Sequence, residues 1–424
     1  MSAPEERKIG RISRLDAEVF LPPSKSYTAR ALIAAALARG DSEIVSPSLS
    51  DDSRLLIGAL GAFGVRIEAH PGAVRVHGTD GILRTPTREV NLGNAGTAMR
   101  FLSSFAALAP GTTVLTGDTR LTERPIGDLI DALRQGGVRA RTRDGFPPVT
   151  IEGGSFRGGT ITVRMDSSSQ FLSSLLLAGP YVETTLSVTT KGKTSSLPYL
   201  RMTVDVMRSF GATVEVEEET RYSVGNRARY RGRSYTIEGD ASSAAYFFAA
   251  AAITRGRVTV RGLPPGTLQG DIAFLEILKR MGCAVGRYED RIEVSGGALR
   301  GVRSDLCSMP DCVPVLAVVA AFAEGESEIL NVAHLRFKET DRLLAVKNEL
   351  TKLGAMVTIR EDGLVIHPGR FRPASVATYN DHRIAMSFAV AGLAADGISI
   401  QNPSCVSKSF PNFWEEFKKL EGRK

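Results

Sequence analysis

Polar and apolar positions along the chain follow a pattern that recurs six times. In each copy a short polar segment leads into a run rich in Ala and Leu, and a short β-branched stretch follows. Successive copies start 70, 72, 74, 71 and 70 residues apart. Such regular spacing indicates internal repeats that together fill the chain. The copies begin at Ser24, Asn94, Asp166, Asp240, Asp311 and Asp381.

A second helix is predicted later in each copy. Its apolar residues recur at the spacing of about 3.6 that places them on one helix face, and all but the last segment end in Gly, a common helix terminator. A short strand comes after the helix, so the repeating unit reads β-α-β-α-β-β and the fold class is α/β. The predicted second helices are Arg54–Gly64, Ile126–Gly136, Tyr199–Gly211, Ile272–Gly282, Asp341–Gly354 and a weaker Asn412–Lys419.

The length of the repeat decides between an elongated and a globular architecture. Solenoid repeats are about 20–50 residues long, whereas units of about 70 residues are large enough to pack as small subdomains. We therefore expect two similar globular domains of three repeats each, with a cleft between them. Helices that start at the polar segments would direct several N-termini toward the cleft, where backbone N–H groups favour anions. The leading hypothesis is a phosphorylated substrate.

The composition is that of an ordinary globular protein. Hydrophobic residues make up 43% of the 424 residues and charged residues 23%, which excludes a disordered or fibrous chain. The longest apolar runs, Val313–Ala323 and Ala244–Ile253, fall short of the ~18 residues of a membrane span. The N-terminal MSAPEERKIGR lacks the apolar core of a signal peptide. We expect a cytoplasmic protein.

The signatures of several enzyme classes are missing. The HExxH, GxxxxGK(S/T) and GxSxG motifs do not occur, which excludes the common zinc proteases, P-loop NTPases and serine hydrolases. The four Cys residues have no CxxC spacing, which argues against structural zinc and against a disulfide framework. No metal site is expected.

The net charge suggests one alternative function. The formal charge is +7, from 53 Lys and Arg against 46 Asp and Glu, and the segment Arg221–Arg233 holds five Arg and no acid. Such a cluster fits either a polyanion-binding strip or a solvated loop. The solvated loop is favoured, because one short cluster makes no extended basic face. A non-catalytic anion- or RNA-binding repeat protein stays an alternative.

The starts of the first two repeats carry groups suited to anions. Ser26 is placed to cap a helix or to bind an oxyanion, and Lys25 and Arg30 beside it are suited to clamp a phosphate or carboxylate. A capped helix with surface bases is the equal alternative here. In the second repeat Gly96 lets the backbone approach a ligand, and Arg100 interrupts an apolar run, where an unpaired charge is costly.

Other polar segments supply further candidates. Arg120 and Arg124 are placed to close over an anion or to pair with the neighbouring acids Asp118 and Glu123. Serine hydroxyls at the start of the third repeat are suited to cap a helix or to contact a hydroxylated or phosphorylated ligand. The remaining candidate segments are Ser167–Gln170, Asp311, Arg336–Arg342, Asn380–Arg383 and Lys408–Pro411.

Taken together, these segments resemble the 5-enolpyruvylshikimate-3-phosphate synthase family of enolpyruvyl transferases. They occur in the family order between residues 22 and 413, and NAGTAMR, KETDRL and NDHR in combination are highly specific. The resemblance implies the enolpyruvyl transferase fold, with one domain over residues 22–237, the other over 1–21 plus 238–424, and a two-strand hinge near 21 and 238. Closure of the domains over the substrates would complete the site. The segments are SKSYTAR, LGNAGTAMRF, TERPIGDLIDALR, SSSQF, GDASSAAYF, PDCVP, RFKETDRL, NDHRIAMSF and KSFPNF.

The resemblance also implies a reaction and its ligands. The enolpyruvyl group of phosphoenolpyruvate would pass to the 5-hydroxyl of shikimate 3-phosphate with release of phosphate, in aromatic amino acid biosynthesis. No cofactor, no metal, a monomer and no nucleic-acid or membrane partner are implied. Phosphoenolpyruvate would contact Lys25, Gly96, Arg100, Arg124, Arg342, Arg383 and Lys408. Shikimate 3-phosphate would contact Ser26, Arg30, Ser168, Ser169, Gln170, Ser196, Tyr199, Asp311 and Lys338.

Addition–elimination chemistry needs a base for the 5-hydroxyl and an acid for the methylene carbon. Asp311 is the candidate base and Glu339 the candidate acid, although the two roles are exchangeable on the sequence alone. Lys25 and Lys408 would stabilise the charged tetrahedral intermediate. Because nearby cations lower the pKa of a carboxyl, Glu339 must be partly buried to act as an acid near neutrality.

The nearest alternative within the same fold is the enolpyruvyl transferase that acts on UDP-N-acetylglucosamine. That family carries a reactive Cys in the loop before the Arg-Pro pair, and Thr116–Arg124 contains none. Two residues depart from the shikimate pattern. His334 stands where the family often has an Asn that contacts the shikimate phosphate, and Phe101 stands where many members have Pro. Gly96, which borders the phosphoenolpyruvate pocket in the family, is retained, and the sequence leaves glyphosate sensitivity open.

Overall fold

The chain folds into two compact units in a computed structural model that describes residues 5–192 and 196–421. The inserted unit comprises Pro23–Ile237, and the terminal unit comprises the residues up to Pro22 together with those from Glu238 onward. The chain starts in the terminal unit with strands β1 (Glu6–Lys8) and β2 (Asp16–Phe20). It then runs through the whole inserted unit before it returns.

The described part of the inserted unit contains three four-stranded sheets, one for each of its repeats. Its helices are α1 (Lys25–Leu37), α2 (Asp51–Ala62), α3 (Gly96–Ala106), α4 (Thr119–Thr122), α5 (Gly127–Gln135), α6 (Gln170–Ala178) and α7 (Leu197–Ser209). Its strands are β3 (Asp41–Val45), β4 (Arg66–His70), β5 (Ala73–His77), β6 (Val90–Asn91), β7 (Gly111–Thr116), β8 (Arg139–Arg143), β9 (Phe146–Gly153), β10 (Gly159–Arg164), β11 (Leu186–Lys191), β12 (Val214–Glu217), β13 (Arg221–Val224) and β14 (Ser234–Thr236).

The terminal unit repeats this plan with two four-stranded sheets and one three-stranded sheet in its described part. No α-helix of residues 5–192 and 196–421 is both long and apolar enough to cross a membrane. The helices of this unit are α8 (Ala241–Thr254), α9 (Phe274–Met281), α10 (Val313–Ala321), α11 (Arg342–Leu353), α12 (His382–Ala394) and α13 (Phe413–Lys418). The strands are β15 (Arg257–Arg261), β16 (Ala284–Arg287), β17 (Arg291–Ser295), β18 (Arg303–Asp305), β19 (Ser327–Leu330), β20 (Met356–Ile359), β21 (Leu364–His367), β22 (Ala374–Val376) and β23 (Ile398–Gln401).

The second helix of every repeat is present, as α2, α5, α7, α9, α11 and α13, so this part of the prediction is confirmed. Gly282 and Gly354 terminate α9 and α11 with φ angles of 110° and 107°, which only glycine adopts without strain. Helix α2 starts at Asp51, earlier than the sequence indicates. Two acidic residues in its first turn, Asp51 and Asp52, stabilise this additional turn through the helix dipole.

The sheets confirm the β-α-β-α-β-β unit and add an exchange of strands between distant segments. In the second repeat, for example, β6 pairs parallel to β7, and β9 pairs antiparallel to both β7 and β8. In the first repeat the parallel partner of β3 is β14, almost two hundred residues later, and in the fourth the partner of β15 is β2. These strands occupy an edge that would otherwise expose unpaired backbone groups. The hydrophobic pattern contains no signal for partners so far apart.

The first helix of each repeat forms the core of its unit. In α8 every residue but Thr254 is buried, as is typical of a helix that is apolar on all sides. The starts of these central helices meet within each unit. In the inserted unit Gln170 of α6 donates a hydrogen bond to Thr97 of α3 at 2.9 Å. The polar segments that precede the helices are thereby collected at one end of each unit's core.

Candidate active site

The start of α1 holds Lys25 and Ser26 at this end of the inserted unit. Ser24 is the N-cap, with its hydroxyl accepting a hydrogen bond from the Tyr27 amide at 3.4 Å, so the prediction that Ser26 caps the helix is wrong. Ser26 lies within the helix and is half-buried. Lys25 Nζ donates to Asp52 Oδ2 of α2 at 2.8 Å, which fixes the ammonium group beside the helix start.

Arg30 lies one turn further along α1 and is almost completely buried, with 2% exposure. Its nitrogens donate to the hydroxyl of Thr203 at 2.8 Å and to the carbonyl oxygens of Ser26 at 2.8 Å and Tyr199 at 3.1 Å. All three acceptors are neutral, and burial lowers the pKa of Arg30 to about 10. A buried cation held by neutral oxygens is well placed to receive an anionic ligand.

The hydroxyl-bearing candidates of the third repeat surround the same region. The Ser168 hydroxyl accepts from the Gln170 amide at 3.2 Å, and Ser169 immediately precedes α6 and is buried. Ser196, the N-cap of α7, adopts the left-handed conformation with φ 60°, and its carbonyl accepts from the Tyr199 amide at 3.1 Å. Through the contact of Tyr199 with Arg30, the starts of α1 and α7 are joined.

A second basic group lies at the start of α3. Arg100 is 3% exposed and donates to the carbonyl oxygens of Gly96 at 3.2 Å and Pro125 at 2.7 Å. Arg124 is 5% exposed and donates to Asn94 Oδ1 at 3.4 Å. A Cβ at Gly96 would lie 2.6 Å from the Arg124 guanidinium. Glycine at this position therefore lets the guanidinium rest against the helix start.

Of the two loop arginines, only Arg124 is directed to this helix start. Arg120 donates instead to Glu123 at 2.9 Å on the exposed side of α4. Asp118 caps α4 by accepting from the Leu121 amide at 2.8 Å. Pairing with a neighbouring acid thus holds for Arg120, whereas Arg124 joins the group around Gly96.

In the terminal unit the starts of α10, α11 and α12 meet around one guanidinium. Arg342, with 1% exposure, donates to Asp311, Glu339 and Asp381 at 2.8 Å each. Burial alone would lower the pKa of Arg342, but the three carboxylates, Asp381 foremost, raise it above its ordinary value. Arg342 is therefore permanently charged, and its guanidinium fixes the positions of the two candidate acid–base groups, Asp311 and Glu339.

Asp311 bridges two arginines. Its second oxygen accepts from Arg383 at 2.6 Å, and Arg383 also donates to the Tyr246 hydroxyl at 3.1 Å. Burial alone would raise the pKa of Asp311, but the charges of Arg383, Arg342 and then Lys338 hold it well below its ordinary value. The side chain of Asp311 keeps 22% exposure, so an ionised carboxylate is accessible to a ligand.

The other candidates of this unit lie close to the same helix starts. Glu339 has a side-chain exposure of 9%, which meets the burial condition expected for an acid. Lys408, with 9% exposure, ends a short helix over Pro403–Lys408, and Lys338 is half-buried just before Glu339. His382 is buried, and its Nδ1 lies 3.7 Å from Asp381 Oδ1.

Several residues of these clusters escaped the sequence analysis. Asp52 pairs with Lys25, and Thr203 supports Arg30. Asp271 is 3% exposed and accepts from Cys312 Sγ at 3.2 Å. Burial foremost, and then the charge of Asp311, raise the pKa of Asp271 to about 6. Asp52 and Asp271 lie in ordinary-looking polar segments and Thr203 lies within the amphipathic helix α7, and only the fold reveals their partners.

Comparison with known proteins identifies the family. The family model described as EPSP synthase (3-phosphoshikimate 1-carboxyvinyltransferase) matches residues 9–417. A 3-phosphoshikimate 1-carboxyvinyltransferase of Methanoregula boonei is 45% identical over 412 residues, 96% of this chain and 98% of the relative. The chain belongs to the EPSP synthase family. One of Trichormus variabilis with the same name is 41% identical over 96% of this chain and 97% of the relative.

Solved structures agree with membership in the EPSP synthase family. The EPSP synthase of Acinetobacter baumannii superposes with a TM-score of 0.83 at 30% identity, over 99% of this chain and 98% of that one. The enolpyruvyl transferase NikO of Streptomyces tendae superposes with a TM-score of 0.78 at 20% identity, over 99% and 98%, and shows the fold alone. The two-domain enolpyruvyl transferase fold and the transferase class predicted from the sequence are confirmed, and the shikimate family is favoured over the UDP-sugar alternative.

Both residues that depart from the EPSP synthase pattern, Phe101 and His334, are buried. Phe101 is 1% exposed, and its ring centroid lies 5.4 Å from the Arg30 guanidinium carbon. An aromatic face at this distance stabilises a cation, so Phe101 contributes to the surroundings of Arg30. His334 is buried on the short helix Ala333–Phe337.

Proposed function

We propose that this protein transfers the enolpyruvyl group of phosphoenolpyruvate to the 5-hydroxyl of shikimate 3-phosphate and releases phosphate. The name shared by its curated relatives, 3-phosphoshikimate 1-carboxyvinyltransferase, supports this substrate pair. The observation that carries the proposal is the buried group on Arg342, which holds Asp311 and Glu339 at 2.8 Å each from one guanidinium. Two carboxylates in fixed geometry are what an addition–elimination reaction requires for proton transfer.

Shikimate 3-phosphate carries a phosphate, a carboxylate and free hydroxyls, so its site needs cations together with polar side chains. Arg30 is the central ligand in our proposal, because the hydrogen-bond acceptors that the described residues supply to its buried charge are all neutral oxygens. An anion that binds there gains a charge-assisted hydrogen bond. The other proposed contacts are Ser26, Ser168, Ser169, Gln170, Ser196, Tyr199, Asp311 and Lys338.

Phosphoenolpyruvate carries a carboxylate and a phosphate on adjacent atoms, so several cations must contact it. Buried arginines whose guanidinium groups are held in one orientation are suited to bind both the carboxylate and the phosphate. In the inserted unit the position of Arg124 against Gly96 supports this role, and in the terminal unit Arg383 is held by Asp311 and Tyr246. The proposed ligands are Lys25, Gly96, Arg100, Arg124, Arg342, Arg383 and Lys408.

In the proposed mechanism the 5-hydroxyl oxygen adds to C2 of phosphoenolpyruvate while C3 gains a proton. Asp311, ionised through its arginine partners, accepts the hydroxyl proton, and Glu339 donates the proton to C3. In the elimination the ionised Glu339 takes back a methyl proton while the C–O bond to phosphate breaks, and Asp311 returns its proton to the departing phosphate, which forms the enol ether and inorganic phosphate. Lys25 and Lys408 stabilise the charge of the tetrahedral intermediate.

The wider setting is also a proposal. The chain passages at Pro22–Pro23 and Ile237–Glu238 support domains over 22–237 and over 1–21 plus 238–424, with a hinge near 21 and 238. We propose that the protein acts as a cytoplasmic monomer, with the two small molecules as its partners and no nucleic acid. Size-exclusion chromatography with light scattering tests the monomer directly, and a dimer mass would contradict it.

The activity is tested by measuring phosphate release from phosphoenolpyruvate with two acceptors in parallel. We expect release with shikimate 3-phosphate and none with UDP-N-acetylglucosamine. Asp311→Asn protein serves as the control for contaminating phosphatase, since it keeps the fold but lacks the proposed base. Release only with the UDP-sugar, or equal release without an acceptor, would overturn the proposal.

A further inference from the structure

The first turn of three helices of the inserted unit holds or directly follows a residue that we propose to bind shikimate 3-phosphate, namely Ser26 on α1, Ser169 before α6 and Tyr199 on α7. One turn further along each helix lies a residue of a single buried hydrogen-bond network. The network consists of Arg30, Ser173 and Thr203, each four residues after one of these candidate ligands.

Thr203 is the centre of the network. Its hydroxyl accepts from Arg30 Nε at 2.8 Å, and it lies 2.9 Å from the Ser173 hydroxyl and 2.8 Å from the Tyr199 carbonyl oxygen. Thr203 and Ser173 are both fully buried, with 0% exposure. Because a hydroxyl has a single proton, Thr203 donates to one of these oxygens at a time and accepts from Arg30 in either case.

The orientation of Arg30 depends on this hydroxyl. The two terminal nitrogens of the guanidinium donate to carbonyl oxygens of Ser26 and Tyr199, and Nε alone is held by a side chain of the described residues, that of Thr203. The guanidinium is planar, and hydrogen bonds to all three of its nitrogens fix the orientation of that plane. They therefore also fix the direction from which an anion can bind. Loss of the Thr203 oxygen would leave a buried charged donor without its acceptor.

We infer that Thr203 and Ser173 are positioning residues, whose hydroxyls form a buried bridge between α1, α6 and α7 that holds Arg30 and the three helix starts in the geometry that binds shikimate 3-phosphate. The inference rests on the proposed function, because it assigns a role to groups behind the proposed binding residues. Neither hydroxyl touches the substrate. Their contribution acts through Arg30 and through the backbone of Tyr199.

The test compares Thr203→Val, which keeps the shape but removes the hydroxyl, with Thr203→Ser, which keeps the oxygen. Thr113→Val in β7 is the matched control, because Thr113 is 1% exposed in the same unit and its hydroxyl has no hydrogen-bond partner among the described residues. Binding of shikimate 3-phosphate is measured by calorimetry without phosphoenolpyruvate, and steady-state kinetics with both substrates follow.

We expect Thr203→Val to raise the Kd and KM for shikimate 3-phosphate by about tenfold or more, with little change in KM for phosphoenolpyruvate. Thr203→Ser and Thr113→Val should bind like the wild type. Ser173→Ala should give a smaller loss, and it should add little in the Thr203→Val background because both changes break one bridge. Ser173→Ala also tests the bridge alone if Thr203→Val does not fold.

Two results would overturn the inference. If folded Thr203→Val and Ser173→Ala bind shikimate 3-phosphate as tightly as Thr113→Val, the bridge has no positioning role. If Thr203→Val binds like the wild type while Thr203→Ser is impaired, the methyl packing and not the hydroxyl matters. If the wild type itself binds no shikimate 3-phosphate, the proposed function fails and the inference fails with it, which distinguishes that failure from the other two.

Discussion

At the scale of single residues, two buried arginines of this protein have opposite surroundings. Arg342 contacts three carboxylates and its pKa is raised, whereas Arg30 contacts neutral oxygens and its pKa is lowered to about 10. The charge of Arg342 is thus compensated by Asp311, Glu339 and Asp381, which it also holds in place. None of the hydrogen-bond acceptors that the described residues supply to Arg30 carries a charge, which suits the ligand role that we propose for it.

Replacement of Gly96 by Ala should weaken phosphoenolpyruvate binding. The new Cβ would lie 2.6 Å from the Arg124 guanidinium, and since the end of a long side chain is displaced more easily than backbone, Arg124 should move while the fold persists. We expect KM for phosphoenolpyruvate to rise about tenfold, as for the loss of a charged hydrogen bond. The control is Gly58→Ala on α2, where a Cβ meets nothing within 4 Å. Equal KM values in the two variants would contradict this role of Gly96.

Asp311→Asn and Glu339→Gln should each lower kcat by about a hundredfold or more, the usual contribution of general acid–base catalysis. Both replacements keep the shape but remove a buried negative charge beside Arg342, so the thermal unfolding midpoint should fall while the protein still folds. Steady-state rates at saturating substrates and a thermal melt of each variant check this. Near-wild-type turnover in both variants would show that proton transfer uses other groups.

Asp271 should make the stability of the protein depend on pH. Its folded-state pKa of about 6, raised by burial and then by the charge of Asp311 and partly offset by Arg383, lies above the ~4 of an unfolded carboxyl. Between about pH 4 and about pH 6 the folded state therefore keeps a proton that the unfolded state has released. The contribution of Asp271 to the free energy of unfolding accordingly falls as the pH rises through this range. The free energy of unfolding of Asp271→Asn, taken relative to that of the wild type, should therefore rise by about 1 kcal/mol from about pH 5 to about pH 8. Denaturant unfolding of both proteins measures this, and a pH-independent difference would contradict it.

At the scale of elements, the candidate groups lie at helix starts, where the sequence also places capping residues. Asp341 accepts from the amides of Leu343 and Leu344 at 3.1 Å each and so caps α11, directly before Arg342. Asp240 caps α8 in the same way, with the Ser243 amide at 2.8 Å. The same segments thus determine where a helix begins and which side chains its start presents.

Removal of the cap at Asp341 should destabilise α11. Asp341→Ala should cost about 1 kcal/mol and lower the unfolding midpoint by about 2–4 °C, because two amides lose their acceptor. Asn412→Ala is the control, since Asn412 is exposed and precedes α13 without a side-chain capping bond. In thermal melts Asp341→Ala should unfold at a lower temperature than Asn412→Ala. Equal midpoints for the two variants would contradict the capping role of Asp341.

The elements also show how much of the fold can be predicted from the sequence. Periodicity predicted all six second helices, and terminal glycines marked the ends of the first five, because an amphipathic helix is a local pattern. The pairing of β3 with β14 and of β15 with β2 was not predictable, since backbone pairing between distant segments leaves no local trace. The same holds in the site. The basic residues were found from their motifs, whereas the partners Asp52 and Thr203 required the fold.

At the scale of the whole molecule, the repeats share a scaffold and differ in the chemistry at their helix starts. Arginines and hydroxyls prevail in the inserted unit, and carboxylates paired with arginines prevail in the terminal unit. The basic segment Arg221–Arg233 does not add to this. Arg221 pairs with Glu217 and Arg229 lies 3.6 Å from Asp80, which supports a solvated surface over a polyanion-binding strip.

The central claim is the transfer of a three-carbon unit to one hydroxyl of one acceptor. The most direct measurement follows phosphoenolpyruvate labelled with carbon-13 at C2 by NMR in the presence of shikimate 3-phosphate and the wild-type protein. We predict that the label appears in an enol ether coupled to the proton at C5 of the acceptor, with one inorganic phosphate released for each ether formed. A label that stays in phosphoenolpyruvate, ends in free pyruvate or appears on another hydroxyl would contradict the account.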